Sequence, residues 1–125
     1  MSLRVLVVED SALAGEMMVA MLRNEGFEVS EVARTGRDAL ATLRDGPYDV
    51  AIVDLELPDM SVSSLLQQLR ERAPGMRLVA CSAHDTSSAP VNDARRYVDS
   101  VIPKGDLPRS GQLIRNLCRV LPPQA

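Results

Sequence analysis

Five positions that could do chemistry stand directly after apolar runs of the chain: Glu9, Asp10, Asp54, Ser82 and Lys104. Three carboxylates brought close together repel one another and take up protons unless a cation compensates. A hard divalent ion with oxygen ligands meets that need, and Mg²⁺ accepts one or two carboxylates while it keeps several waters. The residue types therefore indicate a Mg²⁺ site with coordination positions left for a phosphate oxygen.

The same set of side chains suits phosphoryl transfer. A carboxylate that accepts a phosphoryl group becomes an acyl phosphate. In-line transfer then needs positive charge on the equatorial oxygens, which Lys104 would supply, and Ser82 would add a hydroxyl donor. Taken singly, each residue has a plainer interpretation, because Asp54 or Asp10 could cap a helix, Lys104 could be a surface lysine and Ser82 could bond to backbone.

Apolar runs and helical patterns alternate along the chain, and they predict the elements that would position these side chains. The predicted strands are residues 3–8, 27–32, 48–55, 76–82 and 100–103. The predicted helices run from the capping candidate Asp10-Ser11 to Gly26, from Thr35 to Gly46, over 61–72, up to Tyr97 and over 110–121. This alternation predicts an α/β fold, a doubly wound five-stranded parallel sheet with helices on both faces. In the flavodoxin-like order 2-1-3-4-5, the first and third strands are neighbours and ligands bind beyond the carboxyl ends of the strands.

Two helices carry recurring apolar residues, and a third is limited by a proline. The apolar positions of the first and last helices are Leu13, Met17, Met18, Met21, Leu22, Leu113, Leu117, Val120 and Leu121. We interpret the three methionines as core and surface of one helix. Pro90 is tolerated only in a first helical turn, so the fourth helix should start no earlier than Ser87 or Ser88.

Composition restricts the class of protein. The 125 residues suffice for one domain, which we expect to comprise 1–125 with a core at 3–121 and a tail at 122–125. A net charge of −3 argues against nucleic-acid binding. The first apolar run is too short for a signal peptide or a membrane span, so we expect a cytoplasmic protein. Cys81 and Cys118 are interpreted as buried free thiols.

The order and spacing of the motifs resemble those of response-regulator receiver domains of two-component signalling. The matching residues are Glu9-Asp10, Asp54 with Pro58 four positions on, Ser82-Ala83, and Lys104 22 positions after Ser82. Any one of these motifs is common, but all five site positions in the right order at strand ends are specific. The resemblance extends over residues 3–121.

The resemblance implies a role for each carboxylate. Asp54 would be the phosphoacceptor. Asp10, Asp54 and the backbone carbonyl of Glu56 would be the Mg²⁺ ligands, and Glu9 would act through a water molecule.

The resemblance also implies roles for the other site residues. Ser82 would be the switch hydroxyl, and Lys104 would pair with the phosphate. Glu56 and His84 would flank the path of the water that attacks the acyl phosphate, so we expect both to modulate dephosphorylation.

Three positions depart from the family pattern. Val101 replaces the usual aromatic residue three positions before the lysine, so an aromatic rotamer switch is absent. Val62 stands where the family commonly has glycine. Because valine does not tolerate a positive φ, we expect ordinary helical or extended backbone at this position. Gly105 follows Lys104 where many relatives have proline, and we expect a trans peptide because a cis non-proline bond costs about 2.5–4 kcal/mol.

The functional hypothesis is a phosphorylation-switched receiver domain of a two-component or phosphorelay system, with no enzymatic activity beyond phosphoacceptance and autodephosphorylation. Its partners would be a histidine kinase or phosphotransfer protein and a downstream protein, and a phosphorylation-dependent dimer is left open. Three alternatives are considered. They are a fragment of a longer regulator with an output domain beyond Ala125, a degenerate receiver that only binds, and a Mg²⁺-dependent phosphatase with an aspartate nucleophile. The phosphatase would normally have a second Asp where Glu56 stands.

Overall fold

The protein is a five-stranded parallel sheet with helices on both faces. The computed structural model describes residues 3–82, 89–109 and 111–120. The strands are β1 (Arg4–Val8), β2 (Glu28–Val29), β3 (Val50–Asp54), β4 (Arg77–Ser82) and β5 (Ser100–Pro103). The helices are α1 (Ala12–Asn24), α2 (Gly36–Thr42), α3 (Val62–Arg72), α4 (Ala89–Ala94) and α5 (Gly111–Val120). The strand order is β2-β1-β3-β4-β5, which confirms the predicted fold class.

The central strands are buried because helices cover both faces of the sheet. All five residues of β3 are buried, as expected for a strand whose sequence is apolar until its last residue. The parallel register places Val8 opposite Val53 and Asp54 opposite Cys81. The carboxyl ends of β1, β3 and β4 therefore meet at one edge of the sheet.

Alternate residues of each strand enter two separate cores. In β1, Leu6 and Val8 pack on one face, and Val5 and Val7 pack on the other. Helices α2, α3 and α4 cover the first face and α1 and α5 the second, through the buried residues Ala39, Leu65, Leu66, Leu69, Val91, Met18, Leu22 and Ile114.

Helix starts agree with the predicted caps. The Ser11 hydroxyl accepts from the N–H of Ala14 at 3.3 Å, and the Thr35 hydroxyl accepts from Asp38 N at 3.0 Å. Such hydroxyls satisfy backbone donors that have no partner inside the helix. The chain leaves α1 through Gly26, whose φ of 92° is a left-handed conformation that favours glycine.

The apolar residues predicted for α1 and α5 lie partly in the core and partly on the surface. Leu13 and Met17 are 69% and 65% exposed, and the inward face of α1 is made by Met18 and Leu22. In the described part of α5 Ile114 is buried and Leu117 packs against the second core, whereas the predicted Leu113 is 38% exposed. The interpretation of the α1 methionines as core and surface of one helix is confirmed, since Met18 is buried and Met17 is exposed.

Element lengths also differ from the prediction. The second strand has two residues in place of six, and the chain beyond it contributes only an isolated bridge between Val8 and Ala33. The second helix ends at Thr42 and continues as a 3₁₀ turn, Leu43–Asp45. A second 3₁₀ segment, Lys104–Arg109, follows β5 and was not predicted.

The fourth helix is described from Ala89, with Pro90 in its first turn. Residues 83–88 lie outside the described part of the chain, and the predicted start near Ser87 or Ser88 falls on them. The Lys104–Gly105 peptide is trans, as predicted, since no cis bond occurs among the described residues. In those residues no helix has the length and apolar character needed to cross a membrane.

Candidate functional site

The predicted site residues gather at the carboxyl edge of the sheet, where the strand order reverses between β1 and β3. Glu9 and Asp10 follow β1, and Asp54 is the last residue of β3. Ser82 is the last residue of β4, and Lys104 follows β5 directly. Four of the five strands thus deliver a polar side chain to the same edge, which is the position at which ligands bind in open α/β sheets.

The centre of the site is formed by Glu9, Asp54 and Lys104. Lys104 Nζ lies 2.9 Å from Oε1 of Glu9 and 3.5 Å from Oδ2 of Asp54. The two acids are 1% and 5% exposed, whereas the lysine side chain is 29% exposed. Two buried carboxylates therefore share a single half-buried cation.

Backbone donors fix the two carboxylates. Oδ1 of Asp54 accepts from the N–H of Glu56 at 3.1 Å, and Oε2 of Glu9 accepts from Ser11 N at 3.2 Å. Oε1 of Glu9 has Lys104 as its charge partner, but within the described residues no donor makes a regular hydrogen bond to it. A buried carboxylate oxygen in that position is suited to an additional cation or water.

The excess of negative charge is expressed in the pKa values. Burial, together with the hydrogen bond and charge of Glu9, raises the pKa of Asp54 to about 7, although Glu56 N–H and Lys104 act in the opposite direction. Burial also acts to raise the pKa of Glu9, but the contacts with Asp54 and Lys104 outweigh it and lower that pKa. The pair therefore holds about one proton in weakly acidic solution and loses it as pH rises through about 7.

The lysine responds to the same pair. Burial acts to lower the pKa of Lys104, and the contacts with Glu9 and Asp54 outweigh it, so that the net shift is upward. Lys104 therefore remains a cation throughout the physiological range. Cys81, opposite Asp54 in the sheet, is fully buried and its pKa is raised to about 12 by burial, so it stays a neutral thiol. The interpretation of Cys81 as a buried free thiol is confirmed, whereas Cys118 is free but only half-buried.

Asp10 and Glu56 differ from Glu9 and Asp54 in burial. Both side chains are exposed. No group of three His, Cys, Asp or Glu side chains that could hold a metal ion occurs in the described ranges. The expected convergence of three carboxylates is thus met by Glu9 and Asp54 only, and a cation bound here would need backbone or water oxygens in addition. The metal-ligand roles of Asp10, Asp54, Glu56 and Glu9 stay predictions.

Ser82 and His84 were predicted on the β4 side of the site. Ser82 is the last residue of β4 and is 1% exposed. It pairs with Pro103 of β5, the residue that precedes Lys104 in the sequence. His84 lies outside the described residues, so its predicted neighbourhood with Glu56 stays a prediction.

The departures Val62 and Val101 occupy ordinary positions. Val62 is the first residue of α3, and no residue other than glycine has a positive φ in the described chain, so the predicted backbone at Val62 is confirmed. Val101 is half-buried and packs against the first core. A branched side chain in this place can move little compared with an aromatic ring on the surface.

Sequence reasoning missed the contact that holds the loop after Asp54. Asp59 accepts from the backbone N–H groups of Gly36 at 2.9 Å and Arg37 at 3.1 Å, and these donors keep its pKa below the usual value. Met60 packs directly over Gly36, where an added Cβ would overlap the methionine sulfur. No local spacing signals a bond between residues 22 or 23 positions apart.

Comparison with known proteins is consistent with this geometry. The family model described as "Response regulator receiver domain" matches residues 5–109. The chain is 32% identical over 115 residues to the sensor protein TorS of Escherichia coli K12, covering 90% of this chain and 12% of TorS. It is 38% identical over 81 residues to the probable transcriptional regulatory protein TcrX of Mycobacterium tuberculosis, covering 65% of this chain and 34% of TcrX. The chain therefore spans only a minor part of either relative.

A solved structure shares the whole architecture. The CheY-like response regulator receiver domain protein of Methanospirillum hungatei JF-1 has a TM-score of 0.86 and 26% sequence identity, and the alignment covers 96% of each chain. The likeness extends over all five strands and the helices between them.

Proposed function

The chain belongs to the response regulator receiver domain family of two-component signalling, and on that premise we propose that it is switched by phosphorylation of Asp54 with Mg²⁺ as cofactor. The observation that carries the proposal is the pair of buried carboxylates, Glu9 and Asp54, with Lys104 within 3.5 Å of both. A fold does not keep two acids buried around one cation for stability, because replacing them by apolar residues would remove a desolvation cost. Such groups instead indicate a functional site.

The donor types are those that Mg²⁺ prefers, although Asp10 is exposed and no group of three acidic, His or Cys side chains among the described residues is arranged to hold a metal ion. The ion prefers oxygen ligands and retains waters, so two carboxylates, Asp10 and Asp54, with the backbone carbonyl of Glu56 would hold it. Glu9 would contact the ion through water, since its own Oε1 is buried and has only Lys104 as a charge partner. When bound, Mg²⁺ would neutralise charge on the phosphate oxygens during transfer.

The residues of this chain would divide the remaining work. Asp54 must be ionised to act as nucleophile, and Lys104 favours that form by its charge. An oxygen of Asp54 would form the bond to phosphorus as the bond to the leaving group breaks, and the product is an acyl phosphate. Glu56 N–H would hold Oδ1 of Asp54 in place throughout, since it already donates to that atom.

The switch would follow from the charge that the phosphoryl group adds. Ser82 and Lys104 lie at the ends of β4 and β5, so contacts from both to the phosphate would shift the equilibrium between two arrangements of this edge. Phosphate would come from a histidine kinase or a phosphotransfer protein, and the output would be binding to a downstream protein. Glu56 and His84 would modulate how fast water removes the phosphoryl group.

Intact-mass spectrometry tests the proposal directly. Acetyl phosphate or phosphoramidate with Mg²⁺ should add one phosphoryl group to the wild type, and EDTA or Asp54→Asn should prevent it. Asp49→Asn is a suitable control, because Asp49 lies at the opposite end of β3 and should leave labelling unchanged. Equal labelling of the Asp54→Asn variant would show that the phosphoacceptor has been assigned to the wrong residue.

A further inference from the structure

Helix α1 carries an apolar stripe on the side that faces solvent. Leu13 and Met17 lie one turn apart and are 69% and 65% exposed, and Ala20, three positions further on, is exposed as well. Among the side chains that the structure describes, the only other large apolar one that is exposed is Leu113 of α5. Single apolar residues are common on a surface, but a continuous apolar stripe indicates a surface that another molecule covers. The spacing of four and then three residues is that of a helix that packs against another helix.

Two opposite charges border one flank of this stripe. Glu16 and Arg23 are both exposed, and they lie seven residues apart, which is about 10 Å along the helix axis and too far for them to pair with each other. In the described part of the chain the Glu16 carboxylate has no side-chain hydrogen bond or ion pair. Arg23 Nη2 donates to the carbonyl of Val29 at 2.9 Å, which holds the guanidinium in place and leaves its other N–H groups for a further partner. Each copy of α1 thus presents a carboxylate and a guanidinium that lack a partner of opposite charge among the described residues.

This pattern of charge is complementary to a second copy of the same helix. When two copies pack antiparallel about a two-fold axis, each flank of one helix faces the same flank of the other. With the axis midway between Glu16 and Arg23, the carboxylate of each copy is level with the guanidinium of the other, and two equivalent ion pairs form. A parallel pair would instead bring this flank against the opposite one, where the half-buried and uncharged Ala14 and Met21 lie. The charges therefore favour one partner, one direction and one register.

The apolar stripe packs in the same register. Met17 of one copy lies at the level between Ala20 and Asn24 of the other, and the small side chain of Ala20 next to the axis allows the two helices to approach closely. Helix α1 has 13 residues and is about 20 Å long, so one helix pair buries less than the standard interface of about 1,600 Å². A contact of this size gives a weak and reversible dimer.

From these observations we propose that α1 is a self-association surface, on which a second copy of this chain packs antiparallel with Glu16 of each copy paired to Arg23 of the other. The contact needs neither a metal ion nor a phosphoryl group, so it is independent of the proposed phosphorylation of Asp54. Because α1 begins two residues after Asp10, the dimer contact lies beside the candidate site.

Sedimentation equilibrium of the unmodified protein in EDTA tests the association. Between about 10 µM and 1 mM the weight-average mass should rise from one chain towards two, with a dissociation constant of about 10⁻⁴ M. Raising the ionic strength should weaken the dimer, because exposed ion pairs are screened. A protein that is still monomeric at about 1 mM would show that a second copy does not cover this face, and the inference would be wrong.

Charge reversal identifies the contact. Glu16→Arg and Arg23→Glu should each raise the dissociation constant at least about tenfold, because each replaces two attractive contacts by two repulsive ones. An equimolar mixture of the two variants should associate about as tightly as wild type, since every arginine of one chain then faces a glutamate of the other. Glu71→Arg makes the same change of charge at an exposed position of α3 and should leave self-association unchanged.

Glu71→Arg also gives the matched control for the mixture. Sedimentation of a fluorescently labelled Arg23→Glu chain should show tighter association with Glu16→Arg than with Glu71→Arg, although the two added chains have the same net charge. If the labelled chain associates equally with both, net charge is responsible and the pairing of Glu16 with Arg23 is refuted.

The apolar stripe is tested separately. Met17→Gln keeps both charges and should raise the dissociation constant about fivefold, whereas Leu113→Gln, at the exposed apolar position of α5, should have no effect. Circular dichroism shows whether each variant is folded. If Arg23→Glu does not fold because its bond to Val29 is lost, Glu16→Arg and Met17→Gln with their controls decide the question. Equal weakening by Met17→Gln and Leu113→Gln would contradict an interface on α1.

Discussion

Replacing Asp54 by asparagine should stabilise the folded protein at pH 8 when no divalent cation is present. Asp54 is buried beside Glu9, and its pKa in the folded state is about 7 against 3.8 ordinarily. The folded protein thus binds more protons than the unfolded chain between these two values. The favourable contribution of the neutral carboxyl is complete below pH 3.8 and is lost as pH rises through about 7. Asparagine cannot ionise, and it can donate to Glu9 as the protonated carboxyl does.

The size of the effect follows from the same pKa. Each tenfold change in proton affinity corresponds to about 1.36 kcal/mol, so the raised pKa of Asp54 sets an upper limit of about 4 kcal/mol. The asparagine variant forgoes the attraction of Lys104, 3.5 Å away, for the ionised carboxylate. We therefore expect a gain in the free energy of unfolding of about 1–3 kcal/mol at pH 8. At pH 5.5, where Asp54 is already protonated in the wild type, the gain should be below about 1 kcal/mol.

Urea unfolding in EDTA at both pH values measures this difference. Asp45→Asn serves as the control, because Asp45 is exposed and its replacement should change stability by less than about 0.5 kcal/mol. In a Glu9→Gln background the gain from Asp54→Asn should shrink, since Glu9 is one of the causes of the raised pKa. A variant that is no more stable than wild type at pH 8, or that gains equally at both pH values, would refute the reasoning.

Two further predictions concern the lifetime of the phosphoryl group and the packing of α3. His84→Ala and Glu56→Ala should each change the decay rate of the phosphoprotein at least about threefold. If the two side chains interact, the effect of the double variant on the activation free energy of decay should differ from the sum of the single effects. Additive effects would contradict the coupling. Arg70→Met should lower the free energy of unfolding, measured by urea denaturation, by about 1–3 kcal/mol. The reason is that the Arg70 guanidinium donates hydrogen bonds to the carbonyls of Tyr97 and Met76 and to the carboxylate of Asp99. The exposed control Arg72→Met should have little effect.

The strands and the ends that carry the site could be predicted because their signal is local. A parallel strand covered on both faces is apolar at every position, so a run such as β3 followed by an acid marks both the strand and its functional end. Parallel pairing then brings successive strand ends to one edge of the sheet whatever the loops between them. The family resemblance depended on the same fact, since, apart from Pro58, it used residues at those ends.

The helix faces and the loop attachment could not be predicted with the same certainty. Periodicity shows which residues share a side of a helix, but α5 has apolar residues at both 113 and 114, and only packing decides that Ile114 is buried. The bonds from Gly36 and Arg37 to Asp59 depend on where two loops meet in space. The sequence predicted an excess of negative charge at the site, but it did not predict which carboxylates would be buried. Glu9 is buried and Asp10 is exposed, and this difference depends on the direction in which the chain leaves β1.

Lys104 is involved both in compensating the two buried carboxylates, Glu9 and Asp54, and in the proposed switching. In the unmodified protein the lysine lies closer to Glu9 than to Asp54, at 2.9 Å and 3.5 Å, so its charge mainly compensates a residue that would not be phosphorylated. A phosphoryl group on Asp54 would offer Lys104 a stronger partner with more than one negative charge. Lys104 cannot satisfy both acids fully, because it is a single point charge, and the compensation of Glu9 would then pass to the bound cation. Since Lys104 is also the first residue of the 3₁₀ segment Lys104–Arg109 that leads into α5, a change of its partner would act directly on the path of the chain behind the site.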